Sequence, residues 1–177
     1  MSLAIARKVA RQMGSDPGAS VPVDLVELLQ FHGLTLEFEE GWPRDLCARY
    51  YAGEALVVVN SRHGLARQRF SIAHELGHHA LGHAQLEVDI DHRLFQIFGD
   101  ETETFEVIGD LERDANAFAA ELLMPRGWVS KAENQISITK DLAAHIAREC
   151  QVSEAAAWVR MMELKVGGFA TTRNRKR

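Results

Sequence analysis

"AHELGHHALGH", Ala73 to His83, holds four of the chain's eight histidines. Read as a helix, it places His74 and His78 one turn apart and offset by only ~40°, so two imidazoles can share one metal ion. Glu75 falls ~100° round from His74, within reach of a water on that metal but off the ridge the histidines share. Two neutral histidines that bind, beside a glutamate that takes a proton from the bound water, make the chemistry of a zinc hydrolase. The motif alone arises by chance in roughly a few chains per hundred, so its surroundings must decide.

A second pair, His79 and His83, has the same spacing, but Ala80 stands where the glutamate would be. On an ideal helix this pair faces ~140° away from the first, which predicts a surface or supporting position. A third histidine ligand in the pattern HExxHxxGxxH would need glycine at 81 and histidine at 84, where the chain has Leu81 and Ala84. The third ligand is therefore expected from another helix, as a carboxylate.

"LERDANAFAAELLMP", Leu111 to Pro125, offers Glu112, Asp114 and Glu121. Its apolar face is Ala115, Phe118, Ala119 and Leu122. Glu112 lies ~50° from the centre of that face, and Asp114 and Glu121 lie more than ~100° away. Glu112 is thus the carboxylate expected to turn inward, where a metal would give a buried charge its partner. The alternative role for Glu112 is an acid near a helix N-terminus that favours the macrodipole.

The rest of the chain reads as α+β: a mostly helical single domain over 1–177, with a small antiparallel or mixed sheet beside the motif helix. Amphipathic spacing predicts helices at Leu3–Met13 and around "VPVDLVELLQFHG", with Leu25, Val26, Leu28 and Leu29 as core and Gly33 as the stop. "LTLEFEE" alternates as a strand, and "LCARYYAGEALVVVN" reads as a hairpin turning at Gly53. Ala84 to Asp110 reads as a long connection with one short helix at most; its acidic stretch around 100–106 is open as a lid over the cleft. About 136–168 reads as two helices joined near "CQVSE", with Ser153 as N-cap.

Composition narrows the function classes. Apolar residues make up 46% and charged residues 25% of the chain, which excludes wholesale disorder. A formal charge of −5 provides no global field to collect nucleic acid or an anionic membrane. The one basic cluster, the 170–177 tail, reads as a solvated terminus. "MSLAIARKVARQMG" threads basic residues through its apolar ones, unlike a secretion signal, and no stretch approaches the ~20 apolar residues of a membrane span. Cys47 and Cys150 form no paired motif, and together these features predict a cytoplasmic protein.

Three blocks in order, "VVVN" before the motif helix, "RQRFSIAHELGHHALGH" and "ERDANAFAAELLMP", resemble the ImmA/IrrE-type zinc metallopeptidases. The resemblance extends more loosely to most of the chain and implies a zincin-like fold. Residue by residue it makes His74, His78 and Glu112 the metal ligands and Glu75 the general base, for zinc or alternatively manganese. Asn116 matches the motif asparagine, in a ligand-orienting or plainly structural role, and Arg69 and Phe70 match a lead-in expected to pack. Members of that family typically act on helix-turn-helix repressors in stress responses, mobile elements or toxin-antitoxin-like pairs. The implied partner is such a repressor, encoded nearby.

The expected reaction is peptide hydrolysis, with Glu75 moving a proton from water to the leaving amine. Tyr50, Tyr51, His79 and His145 are unranked candidates to steady the oxyanion. Two other readings compete. One keeps the zinc fold as a regulatory module that binds its partner without cleaving it; an open three-ligand site beside Glu75 counts against it. The other uses "DLAAHIARECQVSEAAAWVRMMELKVGG" as a helix-turn-helix on DNA. Its second helix is no basic reading head, so direct nucleic-acid binding is disfavoured, and Trp158, Val159, Met162 and Leu164 read as core or a docking stripe.

Overall fold

A computed structural model of the chain describes residues 3–14, 21–83 and 103–168. Within them, helices α1 (Leu3–Gly14) and α2 (Leu25–Phe31) precede strands β1 (Thr35–Glu39), β2 (Ala48–Tyr51) and β3 (Leu56–Asn60). Helices α3 (Leu65–Ala80), α4 (Glu103–Leu123), α5 (Arg126–Glu133), α6 (Thr139–Cys150) and α7 (Glu154–Leu164) follow. This is the expected α+β architecture, mostly helical with a small mixed sheet.

The sheet order is β1-β3-β2, with β1 parallel and β2 antiparallel to β3. Tyr50 pairs with Val57 and Ala48 with Val59, so these four share one face. Val57, Val59 and Ala48 are buried on it, and α3 packs against β2 and β3. The chain turns between β2 and β3 through a short 3-10 segment, Ala52–Glu54, and a left-handed Ala55 (φ 50°). Buried Asn60 ends β3 and donates to the Pro43 and Leu46 carbonyls at 2.9 and 2.8 Å, fixing the loop between β1 and β2, while its Oδ1 accepts from Arg62 N at 3.1 Å at the start of the loop into α3.

Helix α4 is the centre of the helical layer and packs against both α1 and α3. Between Glu112 and Met124 only Arg113 is exposed. Asp114 and Glu121, expected to point outward, are buried as deeply as Glu112. The helical wheel fails here because it grants a helix one buried face, whereas α4 has neighbours on more than one side. Glu121 is held by the buried guanidinium of Arg160 from α7, which also donates to the Met124 carbonyl at 3.0 Å.

Other expectations change as well, beginning with Val26: expected in the core, it is exposed on α2 while Leu25 and Leu29 are buried. Residues 103–110, read as part of a connection, form the first turns of α4, and α5 was not foreseen. The buried face of α7 is Ala157, Arg160 and Met161, leaving Val159 and Met162 exposed. Ser153 does cap α7, its hydroxyl accepting from Ala156 N at 3.1 Å. The remainder of the 84–110 connection, residues 84–102, and the 170–177 tail lie outside the described residues.

Candidate metal centre

Helix α3 delivers His74 and His78 from successive turns, and α4 delivers Glu112 opposite them. His74 Nε2 lies 3.1 Å from Glu112 Oε2, His78 Nε2 lies 3.1 Å from Glu112 Oε1, and the two Nε2 atoms are 3.0 Å apart. His74, Glu75 and Glu112 are buried and His78 is half-buried.

The helices can approach this closely because Gly77 faces α4. A Cβ there would sit 3.1 Å from Phe118 Cδ1 and 3.3 Å from both Cα and O of Ala115. Arg69, two turns earlier, donates to the Val23 carbonyl at 2.9 Å and ties α3 to the segment before α2.

Each imidazole is also held from behind. His74 Nδ1 is 3.0 Å from Asn116 Oδ1, one turn after Glu112 on α4. A carbonyl oxygen can only accept, so His74 Nδ1 is the donor in this contact and Nε2 is turned toward Glu112. His78 Nδ1 is 3.1 Å from His83 Nδ1. His79 turns the other way, its Nδ1 2.7 Å from the Tyr50 hydroxyl on β2. The second histidine pair is therefore split: His83 is buried behind His78, and His79 joins α3 to the sheet. His145 is on α6, its ring stacked on Trp128.

This donor set fits a divalent metal. Two imidazole Nε2 atoms and a buried carboxylate converge within hydrogen-bond distance of one another, the donor types that such an ion takes. The three ligand atoms lie within 4.8 Å of one another. Their 3.0–3.1 Å separations are near the ~3.3 Å between ligands of a tetrahedral ion at ~2.0 Å.

Electrostatics agree in direction. Burial alone would raise the Glu112 carboxyl, but hydrogen bonds and charge from His74 and His78 hold it well below the usual carboxylate range. Burial pushes His74 down, yet the Glu112 hydrogen bond and the charges of Glu75 and Glu112 raise it overall, which marks a site that attracts cations. Burial, aided by the charge of His78, pushes His83 down to about 4.

A peptidase family described as the IrrE N-terminal-like domain matches residues 32–162, and the chain belongs to that family. It is 30% identical over 164 residues to the radiation response metalloprotease IrrE of Deinococcus deserti, across 92% of this chain and 55% of that one. A Mycobacterium tuberculosis transcriptional regulator shares the fold, with a TM-score of 0.60 at 19% identity over 99% of this chain and 48% of the other. The chain thus spans about half the length of the relatives it matches. Among the described residues no helix is long and apolar enough to cross a membrane.

Proposed function

We propose that residues 1–177 work as one zinc-dependent endopeptidase domain, manganese being the alternative ion, and that its substrate is a helix-turn-helix regulatory protein. The observation that carries the reading is the meeting of His74, His78 and Glu112 with Glu75 buried beside them. His74, His78 and Glu112 hold the metal. When bound, it supplies a Lewis acid for the scissile carbonyl and draws the pKa of a water toward ~7.

Glu75 is the general base. It accepts a proton from the attacking water and passes it to the departing amine, so that one peptide bond and one water become a carboxylate and an amine. Its place one residue after His74 puts it beside the metal without competing for the ridge shared by the two ligands. Asn116 keeps His74 in the tautomer that leaves Nε2 free. The substrate class follows from the ImmA/IrrE resemblance, not from any residue lining the site.

The test is to incubate the zinc-loaded protein with a helix-turn-helix regulator encoded beside it, using wild type and Glu75→Gln. Glu75→Gln should bind zinc as wild type does and cleave about 10²- to 10⁴-fold more slowly. Equal cleavage by both would remove Glu75 as the base. Stable binding of the regulator with no cleavage by either would replace the peptidase with the non-cleaving module.

A further inference from the structure

We infer that His83 is a positioning residue that fixes His78 in the Nδ1–H tautomer and aims its Nε2 at the metal. The inference rests on the ligand set proposed above and adds a residue to its support.

A neutral imidazole carries one N–H. If His78 binds through Nε2, the atom that faces Glu112 and His74, its proton must be on Nδ1. The acceptor within reach of that proton is His83 Nδ1 at 3.1 Å, with the rings 5.2 Å apart and inclined by 66°. His83 then carries its own proton on Nε2. The His78–His83 contact mirrors that of His74 with Asn116, so each ligand histidine has a buried or half-buried partner on its far nitrogen.

The backbone supplies this contact by ending the helix. Continued as a helix, residue 83 would stand ~140° round from residue 78 and could not reach it. Instead Gly82 adopts φ +70°, a left-handed conformation that glycine takes without steric cost. Gly82 N donates to the His79 carbonyl at 3.1 Å and His83 N to the His78 carbonyl at 2.9 Å, the paired bonds of a Schellman termination. His78 and His83 are thus joined twice, by backbone and by side chain, and the turn brings the His83 ring, 8% exposed, behind its target.

The experiment measures zinc affinity by competition with a chelator, and cobalt absorption as a report of ligand geometry, in wild type, His83→Leu and His83→Asn. Asn places a carbonyl oxygen at the same bond distance from the backbone as Nδ1, and Leu places a methyl group there. His83→Leu should weaken zinc by about 10- to 100-fold and shift the cobalt bands, while His83→Asn stays within about threefold of wild type. Gly82→Ala, which keeps the side chain but strains the turn that aims it, should also weaken zinc, and it serves if His83→Leu does not fold. A His83→Leu protein that binds zinc like wild type overturns the inference and leaves the ligand set standing, as does equal weakening by Leu and Asn. Failure of wild type itself to bind zinc or manganese overturns the ligand set and the inference with it.

Discussion

Gly77→Ala separates the fold from the site. The added methyl would lie 3.1 Å from Phe118 Cδ1 and 3.3 Å from two Ala115 backbone atoms, against ~3.5–4.0 Å for relaxed carbon contacts. Phe118 can yield by rotating, but backbone cannot, so α4 must retreat by roughly 0.2–0.7 Å. For stability the effects nearly cancel. Replacing glycine inside a helix gains about 1 kcal/mol, and overpacking costs about 1–3 kcal/mol, so the metal-free protein should lose about 0–2 kcal/mol. For the metal they do not cancel. Glu112 lies on α4 one turn before Ala115, whereas His74 and His78 stay on α3, and metal-ligand distances tolerate only about ±0.2 Å. Zinc affinity should therefore fall at least ~10-fold, about 1.4 kcal/mol. Chelator competition gives the affinity, and thermal unfolding of the metal-free protein gives the stability. The control is Gly109→Ala on α4, where nothing lies within 4 Å of the new Cβ; it should stabilise by about 0.5–1 kcal/mol with unchanged affinity. If Gly77→Ala binds zinc as tightly as wild type, the close approach at Gly77 does not set the position of Glu112.

Two further outcomes follow from the same packing. Zinc at a hundredfold excess over its dissociation constant should stabilise the folded protein by about 2.7 kcal/mol; Glu112→Ala should abolish most of that rise in melting temperature, and an undiminished rise would move the third ligand elsewhere. Arg160→Met removes the buried partner of Glu121 and the donor to the Met124 carbonyl, leaving Glu121 with half-exposed Arg11 and the Arg126 backbone N–H, each at 3.4 Å and both on Oε1. It should cost about 3–5 kcal/mol in urea denaturation, and a loss below 1 kcal/mol would show that the pair is dispensable.

What the sequence reveals is what repeats with a local period. The spacing of His74 and His78, the inward lean of Glu112 and the Ser153 cap are all relations within one helix or turn, and each has its counterpart in the structure. Relations between elements are hidden. Nothing local in "LTLEFEE" says that β1 pairs parallel with β3, and nothing in the α4 wheel says that packing on more than one side would bury Asp114 and Glu121 as well. The His79–His83 pair has the surface or supporting role expected of it, but not as one face: the four-residue offset assumes an unbroken helix, and Gly82 breaks it between the two. The glycine itself was the readable signal, since a positive φ after a helix returns the next residue against the last turn.

Gly77 and Gly82 carry the same lesson into the motif. Neither bears a functional atom, yet one sets how near the carboxylate comes to the imidazoles and the other sets whether His83 can reach His78. At Gly77, alanine would improve helix propensity and still harm the site. A search for stabilising substitutions would rank that change favourably on helix propensity alone, which is the usual conflict between stability and activity at a preorganised centre. In this chain the conflict has a location: the two glycines of "HELGHHALGH" keep the geometry in which, on the proposed function, the histidines and glutamate carry the chemistry.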